Sequence, residues 1–96
     1  MDIRQLLESK REDIIRIAAE HGAHNIRIFG SVARGEANEE SDVDFLVEFE
    51  PGTSLLKHSS LIVALEDLLG CKVDVAPEKA LKERLKTRIL SEAQPL

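Results

Sequence analysis

The chain has 96 residues, of which 43% are hydrophobic and 32% are charged, and its formal net charge is −5. This length fits a single domain over residues 1–96, and the composition is typical of a folded protein rather than a disordered one. The acidic balance argues against direct nucleic-acid binding, because general nucleic-acid binders carry a clustered basic surface.

The predicted elements begin with a helix and a strand. From Ile3 to His21, apolar residues recur at three- and four-residue steps, which predicts one amphipathic helix that ends before Gly22. From Asn25 to Phe29, apolar and polar residues alternate, which predicts a first strand. A short helix over 31–34 and a polar surface loop over 35–41 follow.

The second half of the chain continues with strand and helix signals. The predicted elements are a strand over 42–49, a helix from Leu55 or Ser59 to Leu69, a strand over 72–76, and a last helix that begins at Pro77-Glu78 and stops before Pro95. This order predicts an α+β (α/β) fold in which a small mixed sheet is backed by helices on one face.

Three aspartates lie where two predicted strands would place them near one another. Asp42 and Asp44 are two residues apart on one strand and share a face, while the apolar residues that alternate with them would enter the core. Asp74 would join them if its strand is a neighbour. Carboxylates gathered without a cation repel one another, so such a cluster usually holds a hard divalent metal ion. We expect the face that carries the aspartates to be bare.

A small-residue turn, Gly30-Ser31, directly follows the first predicted strand. Glycine lets the backbone approach a phosphate closely, and the Ser31 hydroxyl with the following N–H groups can donate to phosphate oxygens. Arg34 can add positive charge at the same place. Because no Gly-Lys-Ser/Thr follows, the turn is not a Walker phosphate loop.

These motifs together resemble the signature of the polymerase β-like nucleotidyltransferase superfamily. The residues concerned are Gly30-Ser31, Arg34-Gly35 and Ser41-Asp42-Val43-Asp44, followed by Asp74 on a later strand. More closely, the pattern resembles the minimal nucleotidyltransferase antitoxins that accompany HEPN-domain toxins, and the likeness covers nearly the whole chain. The Gly-Ser and Asp-x-Asp pair at this separation is specific, whereas Asp-x-Asp alone would be weak.

The resemblance implies an enzyme of the polymerase β-like fold that transfers AMP from ATP to a hydroxyl and releases pyrophosphate. In the antitoxin branch, the acceptor is a tyrosine of the partner HEPN ribonuclease, which adenylylation silences. By the same resemblance, Gly30 and Ser31 would hold the terminal phosphates, and Asp42 and Asp44 would bind two Mg²⁺ ions. Asp74 would bind the catalytic ion near the acceptor oxygen, and either Asp74 or that ion would remove the acceptor proton.

Other interpretations of the same residues stay open or are disfavoured. A non-catalytic antitoxin would neutralise its toxin by complex formation only, and a related enzyme would use a small-molecule acceptor. A zinc site at His21 and His24 is disfavoured, because no third or fourth ligand stands at structural spacing. His58 is interpreted as a solvated residue and Cys71 as a small buried hydrophobic residue.

The sequence also gives an expectation for the compartment. The first residues lack the hydrophobic region of a signal peptide, and the longest apolar run, from Leu61 to Leu65, is too short to span a bilayer. A single cysteine cannot form an internal disulfide, which agrees with a reducing environment. We therefore expect a cytoplasmic protein that does not contact a membrane.

Overall fold

The computed structural model describes residues 2–38 and 42–96 of the chain. Its helices are α1 (Ile3–Ser9), α2 (Arg11–Glu20), α3 (Gly30–Arg34), α4 (Leu55–Leu69) and α5 (Glu83–Glu92). Its strands are β1 (Ala23–Phe29), β2 (Val43–Phe49), β3 (Val73–Pro77) and β4 (Gln94–Pro95), and a 3₁₀ turn covers Glu78–Ala80. None of the helices in this described part is both long enough and apolar enough to cross a membrane.

The strands form one sheet in the order β3-β2-β1-β4. β1 pairs with β2 and with β4 in the antiparallel sense, and β2 pairs with β3 in the parallel sense. A parallel pair needs a crossover connection, which α4 supplies between β2 and β3. The sheet is therefore mixed, as the sequence predicts.

The main hydrophobic core lies between one face of the sheet and helices α2 and α4. Along β2, the side chains of Val43, Phe45 and Val47 are at most 1% exposed, because alternate residues of a strand share a face. The helices contribute Ile14 and Leu61, which are both fully buried. The residues of β2 that alternate with this apolar set therefore lie on the other face of the sheet.

The predicted helix from Ile3 to His21 is in fact two helices, which meet at Lys10. Lys10 has φ −106° and ψ 8°, which is outside the range of a regular helix. The Leu6 carbonyl oxygen accepts both the Ser9 hydroxyl (2.8 Å) and the Lys10 N–H (3.1 Å) where the helix ends. None of the side chains of residues 8–13 is buried, so packing does not oppose the break. The prediction of one continuous helix is wrong.

The start of the last helix also differs from the prediction. Residues Glu78–Ala80 form a 3₁₀ turn, and the chain then runs extended until α5 begins at Glu83. An ion pair between Glu78 and Arg27 of β1, with an N–O distance of 2.7 Å, holds the turn against the sheet. The predicted helix start at Pro77-Glu78 is wrong, because this tertiary contact overrides the local helix signal.

The two-residue strand β4 has no counterpart among the predicted elements. Gln94 pairs with Ile28 and Pro95 pairs with Arg27, so β4 adds an edge to the sheet beside β1. A segment of two residues is too short to show an alternating pattern. Its strand conformation depends on the contact with β1 rather than on its own sequence.

The other boundaries agree with the prediction to within about two residues. The earlier of the two predicted starts of α4 is confirmed, because Leu55 opens the helix and the Ser54 side chain accepts the Lys57 N–H as its cap. β1 begins before the predicted Asn25, and β2 and β3 begin one residue after their predicted starts. Of the predicted loop, residues 35–38 form neither helix nor strand, and residues 39–41 lie outside the described part of the chain.

The face of the sheet opposite the core is partly covered, whereas we expected it to be bare. Leu46 of β2 lies on this face and is fully buried, although it is outside the main core. The 3₁₀ turn packs on β2, and α5 then contacts α3. The covered part thus surrounds Leu46, while Asp74 on the same face remains exposed.

Candidate functional site

Asp44 and Asp74 lie side by side on neighbouring strands. They are partners in the register between β2 and β3, so their side chains lie on the same face of the sheet. Neighbouring strands are about 4.8 Å apart, which allows two carboxylates to act on one ligand. Asp42 stands one residue before β2 and is exposed. Asp74 and Asp44 therefore lie on the same side of the sheet, which is what the metal-binding hypothesis requires.

The pKa of Asp44 is raised above its ordinary value of 3.8. Burial of the carboxyl group is the largest cause, and the negative charges of Asp74 and Asp42 add to it. Arg34 lowers the pKa of Asp44, whereas Glu92 raises it further. Asp44 is thus surrounded by carboxylates whose combined repulsion, together with burial, outweighs the attraction of Arg34.

These carboxylates have the chemistry of a magnesium site. Mg²⁺ prefers oxygen ligands and usually binds through one or two carboxylates, water molecules and substrate phosphates. Asp44 and Asp74 supply two carboxylates at paired register positions, and Asp42 is near enough to raise the pKa of Asp44. Within residues 2–38 and 42–96, no three acidic, histidine or cysteine side chains already surround one point as ligands. The donor set therefore fits an ion whose coordination a nucleotide and water would complete.

Gly30 connects the small-residue turn to the aspartates. It is the first residue of α3 and has φ +73°, a conformation that residues with a side chain rarely adopt. A Cβ atom at this position would collide with the Asp44 carboxylate. Glycine is therefore favoured by the backbone conformation, and the Asp44 carboxylate would have to move to admit any other residue.

Ser31 and Arg34 lie on the same short helix but differ in their contacts. In the described part of the chain, the Ser31 hydroxyl has no hydrogen-bond partner. Arg34 donates from Nε to Glu36 (2.9 Å) and from Nη1 to both carboxylate oxygens of Glu92 (3.3 Å each). Ser31 is thus available to a ligand, whereas the charge of Arg34 is already shared between two carboxylates.

Glu92 completes this end of the site, and the sequence does not reveal it. Its Oε1 accepts the Gly30 N–H at 2.9 Å in addition to a hydrogen bond from Arg34. The Glu92 side chain is 17% exposed. No local motif marks Glu92, which lies 62 residues from Gly30 in the sequence and reaches it only because α5 ends beside α3.

His58 and Cys71 differ from their predicted environments. The His58 ring is half-buried rather than solvated: Nε2 lies 2.7 Å from the Val75 carbonyl oxygen, and the ring centroid is 5.2 Å from that of Phe49. These contacts tie α4 to the sheet, so His58 is a structural residue. Cys71 is half-buried, and burial raises the pKa of its thiol. Neither side chain is among the groups that shift the pKa of Asp44.

Proteins of similar sequence point to one family. The nucleotidyltransferase domain matches residues 8–96 of this chain. The protein adenylyltransferase MntA of Thermococcus cleftensis is 48% identical over 71 residues, which cover 74% of this chain and 72% of that protein. The candidate protein adenylyltransferase MJ0435 of Methanocaldococcus jannaschii is 49% identical over 86 residues, which cover 90% of this chain and 91% of that protein.

Solved structures give the same result for the fold. The structure of a candidate minimal nucleotidyltransferase has a TM-score of 0.88 at 51% identity, over 100% of this chain and 97% of that chain. A chain of a toxin–antitoxin crystal structure with AMP-PNP has a TM-score of 0.75 at 20% identity, over 88% of this chain and 69% of that chain, and shares the fold. The predicted fold and the resemblance to minimal nucleotidyltransferases are confirmed.

Proposed function

This chain belongs to the nucleotidyltransferase domain family, and we propose that it transfers AMP from ATP to a hydroxyl of a partner protein. The pairing of Asp44 with Asp74 beside the Gly30 turn is the observation that carries this proposal. It is supported by relatives at 48% and 49% identity that bear the name protein adenylyltransferase, one of them as a candidate.

Each site residue has a role in this proposal. Asp42, Asp44 and Asp74 would hold two Mg²⁺ ions, which would neutralise the triphosphate and polarise the α-phosphate and the acceptor hydroxyl. The Gly30 N–H and the Ser31 hydroxyl would donate to the terminal phosphates, with the positive charge of Arg34 beside them.

The reaction is an in-line displacement at the α-phosphorus. The acceptor oxygen forms a bond to phosphorus while the bond to the β-phosphate oxygen breaks, and pyrophosphate leaves. We assign the acceptor proton to Asp74, because this carboxylate is the exposed member of the Asp44–Asp74 pair.

The proposed acceptor is a tyrosine of a HEPN toxin, and the chain would act as the cytoplasmic antitoxin that silences it. The resemblance to minimal nucleotidyltransferase antitoxins motivates this assignment. A toxin–antitoxin structure also contains a chain of the same fold, although a likeness at this identity speaks for the fold alone. In this proposal the partner would supply the surface that positions the tyrosine.

The direct test is transfer of label. The purified chain is mixed with ATP labelled at the α-phosphate, Mg²⁺ and the proposed HEPN partner, and we expect the label on the HEPN protein. The same mixture with the HEPN tyrosine replaced by phenylalanine should stay unlabelled. If the native, active partner acquires no label, the proposed function is wrong.

A non-catalytic antitoxin is the second candidate function, because Glu92 already uses the Gly30 N–H and Arg34 that a triphosphate would need. The double substitution D42N and D44N separates the two functions in cells that express the toxin. An enzyme loses protection with these substitutions while the chain still folds. Undiminished protection by the double variant would show that complex formation alone neutralises the toxin.

A further inference from the structure

We propose that Glu92 occupies the place of a phosphate in the nucleotide-free chain and that the triphosphate of the nucleotide displaces it. This inference rests on the proposed function, because it concerns the site that would bind ATP. It gives a role to a residue that is not among the predicted site residues, and it predicts that the free chain holds its own site partly closed.

The hydrogen bonds of Glu92 are those expected of an anionic ligand. The Gly30 N–H donates to Oε1 at 2.9 Å, and Arg34 Nη1 donates to both carboxylate oxygens at 3.3 Å. A phosphate group uses the same type of donors, since both anions accept charge-assisted hydrogen bonds through terminal oxygens. Two of the groups assigned to the terminal phosphates, the Gly30 N–H and Arg34, are therefore already bound to an anion of the chain.

The Glu92 carboxylate lies near other groups of the same charge. Its carboxylate acts on Asp44 with the same sign as Asp42 and Asp74, while Arg34 is the cation that opposes them. A triphosphate at the Gly30 turn would add further negative charge at the same donors. Glu92 and a bound triphosphate therefore exclude each other, both by competition for the Gly30 N–H and by repulsion.

Glu92 is also placed where it can leave without unfolding the chain. It is the last residue of α5, and the backbone of Ala93 after it is already extended. The side chain has rotatable bonds that can swing the carboxylate away from Gly30 while the backbone stays in place. The pairing of β4 with β1 then keeps the end of α5 anchored.

The test measures binding of AMP-PNP with Mg²⁺ by calorimetry to the wild-type chain, E92Q and E92A. We expect E92A to bind about tenfold more tightly than the wild type, because the donors become free and a negative charge is removed. E92Q should lie between them, since its amide oxygen can still accept the Gly30 N–H. E83Q is the matched control: Glu83 is an exposed residue in the first turn of the same helix, and its affinity should equal that of the wild type.

Each outcome decides one of the two proposals. If the wild type binds AMP-PNP and the folded Glu92 variants bind equally or more weakly, the displacement of Glu92 is refuted and the proposed function stands. If E83Q tightens binding as much as E92Q does, the effect is one of net charge and the displacement is again refuted. If neither the wild type nor any variant binds AMP-PNP with Mg²⁺, the proposed function fails and this inference fails with it.

Should the Glu92 variants not fold, the wild-type chain supplies the test by NMR. Titration with AMP-PNP and Mg²⁺ should shift both the Gly30 amide resonance and the carboxylate carbon resonance of Glu92. An unchanged Glu92 carboxylate in a chain whose Gly30 amide shifts would show that the two groups stay bonded, and it would overturn the displacement.

Discussion

Alternate residues of β2 lie on opposite faces of the sheet, and the two sets of residues affect folding in opposite ways. On the helix side, β2 places Phe45 and its apolar neighbours in the core, and burial of apolar area stabilises the folded chain. On the other side, burial of Asp44 among carboxylates disfavours its charged form. The core residues of β2 thus lie on one face and the residue of the proposed chemistry lies on the other. Substitutions on the two faces should therefore have separable effects on stability and on activity.

The largest effect is expected from D44N. Asparagine keeps the size of the side chain but removes the charge that would bind metal, so transfer of AMP should fall by about 10³-fold. Thermal unfolding should show equal or slightly higher stability, because repulsion around position 44 is relieved. D67N on the exposed side of α4 is the control and should keep full transfer; wild-type activity in D44N would contradict the assignment.

F45A should lower the stability of the fold, because it truncates a side chain on the core side of β2. Phe45 is fully buried, and its truncation should lower the free energy of unfolding by about 3–4 kcal/mol. Urea unfolding followed by circular dichroism measures this loss. The control V63A removes a side chain that is 56% exposed and should change the free energy by less than about 0.5 kcal/mol. An equal loss in both variants would show that the core is misplaced.

G30A should affect both properties at once, because Gly30 contacts Asp44. Alanine at this position meets a positive φ and a collision with the Asp44 carboxylate, so we expect a loss of about 2–3 kcal/mol together with reduced nucleotide binding. G35A is the matched control, since Gly35 has φ +74° but nothing within 4 Å of an added Cβ. It should lose only about 1 kcal/mol, and equal losses would exclude a tight Gly30–Asp44 contact.

The smallest effect is a pH dependence of the metal-free chain. Because the pKa of Asp44 is raised in the folded state, the folded chain binds a proton more tightly than the unfolded chain. Asp44 therefore destabilises the folded chain as the pH rises from 3.8, the ordinary pKa of this group, through the raised pKa of the folded state. D44N should remove this contribution. Thermal unfolding at several pH values, with a chelator present, checks the difference. A wild-type slope identical to that of D44N would contradict a raised pKa.

The sequence predicts the parts of the fold that depend on short-range patterns. The alternation along β2 and the Gly30-Ser31 turn follow from residue spacing, whereas Asp74 is expected to join Asp44 only if their strands are neighbours. The structure confirms the mixed sheet and the Asp44–Asp74 pairing. Binding of metal and nucleotide at these residues stays a prediction that the experiments above would test.

Apart from the local break at Lys10, the features that the sequence does not predict depend on contacts between distant segments. Glu92 reaches Gly30 only through the end of α5, and β4 is a strand only because β1 lies beside it. The 3₁₀ turn replaces the predicted helix start because Glu78 binds Arg27. Such contacts leave no periodic signal in a single sequence. For this reason the site predicted from the sequence lacks Glu92.

The parallel pairing of β2 with β3 has a consequence for the lifetime of the chain. Asp44 and Asp74 meet only after α4 has closed the crossover between their strands, so a ligand bound to both recognises the folded state alone. By mass action, such a ligand at 100 times its dissociation constant would add about 2.7 kcal/mol to the free energy of unfolding. The cellular nucleotide concentration would then set the fraction of the chain that is unfolded, which is the form that proteases cleave.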